Sequence, residues 1–564
     1  MVPYRLAIKF WVEPFANRRA CESILFTEAP SIVGLRGLDS KIKVSRICGN
    51  TYLKELPVLP LSSHQIHKAL RRNILAGSLG TVFGVATTGT FLIGYALRLG
   101  ASPFQIGLLS SLPLLCFPIQ ILASYVSERR RERKRTWILV TFAHRLIWIA
   151  LVFTPFYIMR VSPSAVIGTM LWVLLFSYLL ASWGVPLWYS WMADLLPLKM
   201  RGRFWGKRQA ILNGVALTCS LLLAKLLDAF PQNGNSEGLI GFSFLIVIGV
   251  VFGELDVLIY KKIPEPRMEK ETERVGLFEL LKRPFRDLNF RRYLLFVSVR
   301  NFSVYFMAPF VSVFLLTYLK MTYFEIYLLN SIHIATFILF SRLWGSIVDK
   351  VGNRPIKFIC LVPLSIHPLF YLLASPSTYM YVLAPLYFTL GIFAAGVTIA
   401  SVNLLIGLSP TKGRSMFIAM VHSLVGLVAS LAPLLSGQII EWTEGVSFIL
   451  GGHRFINLHF VFIMAVFLRF LSVYLFSRIK EQGALSVGIV VRQIATASPF
   501  RLIPAYVFLR SSHEERRLKA VKALGKKGNL LAEETILSLL QDPSQQVRQE
   551  AARALEQIRG RKKN

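Results

Sequence analysis

Twelve long stretches of this chain carry almost no charge, and nothing else in it constrains the fold as strongly. They lie near residues 74–98, 105–126, 136–158, 165–194, 204–228 and 238–260, then 292–318, 323–344, 355–375, 379–407, 415–438 and 455–478. Each holds roughly 20 to 30 residues, enough for a helix to cross a hydrocarbon core of about 30 Å with some tilt. The expected fold is therefore an all-α membrane protein with twelve transmembrane helices. Composition agrees, with 54% hydrophobic residues in 564 and a mean hydropathy of +0.53.

The formal net charge of +34 would suggest nucleic acid in a soluble protein. Here the Lys and Arg collect between the apolar runs, so the membrane explains them and no nucleic-acid partner is expected. One side gathers Arg71-Arg72, the block from Arg129 to Arg135, Lys199 to Arg208, Lys261 to Arg292, Lys350 to Lys357, and Lys412 with Arg414. The other side has short connections (99–103, 161–164, 375–378) with almost no basic residues. The positive-inside bias puts both termini in the cytoplasm of a multi-pass protein of the plasma (inner) membrane.

The five cysteines are scattered, with Cys116, Cys219 and Cys360 inside apolar runs, so neither metal spacing nor a disulfide framework is present. No phosphate-binding loop or catalytic spacing appears, which argues against an enzyme or an ATP-driven pump, and no cofactor is expected. The expected divisions are 1–70, a basic cytoplasmic segment; 71–262, six helices; 263–290, a polar linker; 291–480, six helices; and 481–564, a cytoplasmic tail. In the linker, Leu277–Lys282 has the pattern of an interfacial amphipathic helix.

Between the eighth and ninth runs stands Gly345-Ser-Ile-Val-Asp349-Lys350-Val-Gly352-Asn-Arg354, a charged hinge too short to hold a domain. Gly345 would let backbones approach, Asp349 would cap or face a helix N-terminus, and Gly352 would permit a left-handed turn. Lys350 and Arg354 would stay with the headgroups. An internal repeat reinforces this order. Phe104-Gln-Ile-Gly-Leu-Leu-Ser-Ser-Leu112 returns as Phe324-Glu-Ile-Tyr-Leu-Leu-Asn-Ser-Ile332, and Pro197 to Phe204, with Lys199 and Arg201, returns as Pro410 to Phe417, with Lys412 and Arg414. A shift of six helices preserves orientation, so the halves are expected to be parallel repeats.

The hinge and the six-plus-six repeat resemble the major facilitator superfamily. That resemblance implies two six-helix bundles, a small-molecule substrate bound at the midplane between them, and alternating access of the rocker-switch kind. In the first half the matching hinge, Ala123 to Arg131, lacks both the leading Gly and the Asp, so Ser127 or Glu128 would have to substitute. The family pattern implies that a basic residue here, Arg129 or Arg131, pairs with an acid at the end of the fourth helix, where Asp194 stands.

Helices 1, 4, 7 and 10 line the cavity in this family. Arg300-Asn301 lies about eight residues, roughly 12 Å, into the seventh run and is the first candidate for an anionic or polar substrate. Further candidates are Asn403 on helix 10, Tyr178 and Trp183 on helix 4, and Thr88 with its neighbours Thr87 and Thr90 on helix 1. A substrate contact competes in each case with a helix–helix hydrogen bond. Arg145, Lys225, Glu254, Asp256, His333, His367, His422 and Arg469 also fall within or near runs.

After about Lys480 the hydropathy drops. Arg517-Leu-Lys-Ala520-Val-Lys-Ala523-Leu524 recurs as Arg548-Gln-Glu-Ala551-Ala-Arg-Ala554-Leu555, with Asp542-Pro543 breaking the chain between them. This resembles a short HEAT-type repeat. So few helices cannot bury a core unaided, so the tail should pack on residues 484–510, on the bundle, or on a protein partner. The leading expectation is a monomeric carrier of a small solute. The alternative is a facilitator-like sensor or scaffold that no longer transports and binds a partner through the tail.

Overall fold

The structure is a computed structural model. It describes residues 63–130, 132–158, 163–196, 200–230, 235–266, 285–409, 414–450, 453–481, 483–496, 513–526, 536–537 and 539–563. Residues 1–62 and the amphipathic segment expected at Leu277–Lys282 lie outside these, as do the side chains of Glu128, Arg129, Arg201, Lys350 and Arg414.

Twelve helices among the described residues are long and apolar enough to cross a membrane. The first six spans are His64–Arg98, Pro103–Ser127, Arg133–Phe153, Ala165–Leu195, Phe204–Asp228 and Gly238–Tyr260. Spans 7 to 12 are Leu288–Tyr318, Tyr323–Asp349, Asn353–Leu373, Tyr379–Leu408, Val421–Trp442 and Asn457–Ser477. They follow the expected runs closely. Span 1 starts earlier, on a polar extension, and breaks at Thr88, where the backbone is extended before Gly89 takes a left-handed φ of +65°. A short hairpin that hydropathy did not announce pairs Ser447–Leu450 with His453–Ile456 ahead of span 12, with Phe448 stacked on Phe455.

The repeat has a local physical cause. Span 2 opens on a capping box in which Ser102 and Gln105 exchange side-chain and backbone hydrogen bonds. Span 8 opens on the same device, built from Thr322 and Glu325. Each satisfies N-terminal amides that lipid cannot. At the second seam, Arg201 and Arg414 both begin a helix.

Each half buries its own core. In the first it centres on Phe83, Tyr95, Trp148, Leu174 and Phe242. In the second it centres on Phe306, Phe310, Phe314, Tyr371 and Phe462. The two interpenetrate: Tyr323 of span 8 is buried in the first core, and Ile93 and Ile106 of spans 1 and 2 are buried in the second.

The tail folds back on the bundle. Helix Val487–Thr496 packs on the first part of span 9. Helices Glu514–Lys526 and Gln545–Lys563 close on each other around Ala520, Val521, Ile536, Val547, Ala551 and Leu555. Asp542 takes two hydrogen bonds from Arg517, at 2.9 and 3.0 Å, across that pair. Leu485 touches this small core and also the one formed by Trp344, Ile347, Val351 and Ile356. The tail thus leans on the hinge between spans 8 and 9.

Candidate substrate site and gate

The halves meet at the end of the bundle opposite the basic loops. There span 2 packs along span 11, span 5 along span 8, and the last part of span 1 along span 7. The span 2–span 11 seam is reciprocal. A Cβ on Gly107 would overlap the backbone carbonyl of Pro433, and a Cβ on Gly437 would lie 2.6 Å from the carbonyl oxygen of Pro103. Each proline stands four residues before a glycine, so Pro103-x-x-x-Gly107 and Pro433-x-x-x-Gly437 fit together antiparallel. Ser111 donates to the Ser430 carbonyl at 2.6 Å on the same seam.

Polar and aromatic contacts complete this closure. Asp228, at the end of span 5, accepts from the amides of Tyr323 and Phe324 at 3.0 and 2.7 Å and so caps span 8 from the other half. Glu441 accepts from the Phe104 amide at 3.0 Å, and Thr90 shares a hydrogen bond with Ser312 at 3.1 Å. Phe91 stacks against Tyr323 and Tyr327, with ring centroids 5.9 and 4.6 Å apart. Toward the basic end the picture differs. Ile119–Arg130, the continuation of span 2, packs on span 4 and makes no comparable contact with the second half among the described residues.

The hinges at the basic end are fastened within each half. In the first, the expected partners of Asp194, Arg131 and the side chain of Arg129, lie outside the described residues; among those described, Asp194 is met by Arg133. Its buried guanidinium donates to Asp194 at 2.5 Å, to Ser190 at 2.9 Å and to the Pro266 carbonyl at 3.1 Å, with Glu265 at 3.4 Å. In the second hinge Gly352 adopts φ +94°, the turn its position requires. Among the described residues no atom lies within 4 Å of where a Cβ on Gly345 would stand. Asp349 is exposed and caps no helix among the described residues. Glu481, just after span 12, takes the capping role instead: it accepts from Asn353 Nδ2 at 2.7 Å and from the Arg354 amide at 2.6 Å. Arg354 in turn donates to the Ser477 carbonyl at 3.0 Å.

The substrate candidates do not form one contact set. Thr88 is exposed and donates to its own helix at Gly84, while Asn301 donates to Val297, also within its helix. Tyr178 stands edge-on to Trp148, Trp183 is half-buried, and Asn403 is exposed near the basic end of span 10. Arg300 is different. Span 7 starts at Leu288, so Arg300 lies roughly 18 Å along it rather than 12. Its side chain makes no hydrogen bond or ion pair among the described residues, and its Nη1 is buried without a partner.

Two further cations share Arg300's surroundings, and of these only Arg469 stood out in the sequence. Lys357 on span 9 is 2% exposed, with its Nζ 5.4, 4.6 and 5.3 Å from the rings of Tyr293, Phe296 and Phe476. Arg469 on span 12 is 8% exposed, donates to the Leu364 carbonyl at 2.7 Å and Met307 Sδ at 3.2 Å, and leaves its Nε unpaired. Tyr293, Phe296, Arg300 and Met307 recur at helical spacing on one face of span 7, which joins the three cations. In the first half, by contrast, buried Arg145 is paired with buried Asp256 at 2.6 Å. Glu254 on the same span has both carboxylate oxygens buried without a hydrogen-bond partner.

The comparisons agree with this architecture. The family model described as Major Facilitator Superfamily matches residues 74–433 and again 294–512, and the HEAT repeats model matches 505–563. Among solved structures, a nucleoside transporter is 13% identical with a TM-score of 0.57, over 73% of this chain and 100% of its own. A bacterial homologue of the human lysosomal transporter Spinster, inward-facing and occupied, is 15% identical with a TM-score of 0.57, over 76% and 100%. The inward-open xylose transporter from E. coli is 13% identical with a TM-score of 0.55, over 74% and 97%. No curated protein sequence matches the chain. With a family model spanning most of its length and twelve membrane helices in two repeated halves, this chain belongs to the major facilitator superfamily.

Proposed function

We propose that this protein is a secondary-active carrier that moves a small solute by rocking its two halves about a central site, here closed at the far end and open toward the basic loops. The carrying observation is the asymmetry of the seam. Packing between the halves runs through the Gly107–Pro433 and Pro103–Gly437 contacts and the Asp228 cap, all at the end opposite the basic loops. The positive-inside bias makes those loops cytoplasmic, so the state is inward-facing, in a plasma or inner membrane with both termini inside. Relatives of this fold that carry nucleosides and xylose support a small polar solute as cargo.

In this reading Arg300 contacts the solute. Asp349, exposed in the present state, would take a partner only when the halves close at the cytoplasmic end. The test is a thermal-shift screen of purified protein against sugars, nucleosides, amino acids and organic acids, followed by flux of the hits into proteoliposomes. Saturable flux that Asp349→Asn slows at equal protein content supports the reading. Binding without flux in a well-folded preparation would sink it in favour of a sensor, a second reading prompted by the tail's contact with the span 8–span 9 hinge through Leu485.

A further inference from the structure

We infer that the second half holds an oxyanion, a carboxylate or phosphate group, against Arg300, with Arg469 and Lys357 supplying the field that draws it in. As a statement about cargo this rests on the carrier reading above; as a binding site it does not.

The argument is one of unbalanced charge. A cation buried in a membrane protein is retained when it is paired, faces water, or serves a ligand. Arg145 in the first half meets the first condition, with Asp256 at 2.6 Å. The second half contains no such pair: neither Arg300, Lys357 nor Arg469 has a carboxylate within ion-pair distance among the described residues. Measured from the basic end, Lys357 lies four residues into span 9, Arg469 eight residues from the end of span 12, and Arg300 twelve residues into span 7. At 1.5 Å per residue these are depths of roughly 6, 12 and 18 Å, a ladder of positive charge rising to mid-membrane. Arg300 lies close enough for its charge to act on both Lys357 and Arg469.

What each group offers is chemically distinct. Lys357 is caged by three rings, which favour a cation without neutralising it. Arg469 spends two donors on Leu364 and Met307, which fixes it in place. Arg300 commits none of its donors among the described residues, and its planar fork of N–H groups fits the two oxygens of a carboxylate or phosphate. A soluble substrate and an anionic lipid headgroup carry the same chemistry, so the test must separate them.

The full-length protein is placed in nanodiscs of phosphatidylcholine and its melting temperature followed against inorganic phosphate, succinate and citrate, then in discs containing phosphatidylglycerol. A saturable shift with a soluble oxyanion, weakened about thirtyfold or more by Arg300→Gln and retained in part by Arg300→Lys, supports the site. A shift only with phosphatidylglycerol, abolished by Arg300→Gln, supports it with lipid as the source. Lys357→Met guards against misfolding: it should raise the melting temperature without anion, by removing an uncompensated charge, and reduce the anion-dependent shift. No shift with any probe, or a shift that Arg300→Gln leaves intact, overturns the inference. Flux of a neutral solute untouched by Arg300→Gln would overturn it as a statement about cargo while leaving the carrier reading standing; oxyanion binding without flux would do the reverse.

Discussion

Gly107→Ala adds one methyl group at the tightest point of the far-end seam. The new Cβ would stand 2.9 Å from the Pro433 carbonyl carbon and 3.4 Å from Leu434 Cα, nearer still to the carbonyl oxygen. These are backbone atoms, which cannot swing aside as a side chain would, so spans 2 and 11 must separate by about 1 Å or lose this seam. Overpacking of this kind costs about 1–3 kcal/mol. The helix-propensity gain of Ala over Gly is common to both states and cancels, because Gly107 is helical whichever end is closed. A mid-range cost of about 2 kcal/mol moves the ratio of far-end-closed to far-end-open protein about thirtyfold, at 1.4 kcal/mol per tenfold. Gly107→Leu should move it further.

Spin labels at Ala165→Cys and Ser377→Cys, exposed positions at the far ends of the two halves, report this equilibrium in a background lacking the native cysteines. The inter-label distance should lengthen in Gly107→Ala and lengthen more in Gly107→Leu. Gly168→Ala is the control, since nothing among the described residues lies within 4 Å of its Cβ position. An unchanged distance distribution in Gly107→Leu would refute the seam as the closing contact.

Asp256→Asn leaves Arg145 buried without its carboxylate and should cost about 3–5 kcal/mol, read as an early melting transition; exchanging both for apolar residues should cost less. Glu481→Ala removes the cap from span 9 and should lower stability by about 1 kcal/mol, whereas Asp349→Asn, at an exposed position, should leave the melting temperature alone. The tail should loosen in acid. Burial opposes ionisation of Asp542, but the hydrogen bond from Arg517, the Ser544 amide and the charges of Arg517 and Arg548 outweigh it and hold the carboxyl below its ordinary value. Its stabilisation is then present above the unfolded carboxylate range, near pH 4, and lost as pH falls through the folded value. Hydrogen exchange of 514–526, corrected for intrinsic rates, should show protection falling in that window. Asp542→Asn should already be less protected at pH 7 and lose the pH dependence; an unaltered profile would dismiss the pair.

The spans, their number and the repeat were legible in the linear chain because they rest on one-dimensional quantities. Lipid demands about twenty apolar residues per crossing and internal hydrogen bonding, and the Ser102–Gln105 and Thr322–Glu325 boxes recur at a fixed offset. Arg300 stood out for the same reason, as a charge where charge is expensive. Partners were not legible. Among the described residues Asp194 is met by Arg133, because helix phase and the Pro264–Pro266 segment turn this arginine of the basic block inward. The hinge acid Asp349 yields its cap to Glu481, a residue more than a hundred positions away that only the packing of span 12 on span 9 brings near. The matched Pro-x-x-x-Gly spacings were visible as letters, yet nothing short of two helices in register could make them a seam. Composition and period settle how often the chain crosses the membrane. Which buried charges are answered and which end is shut depend on distances between helices, which no single segment encodes.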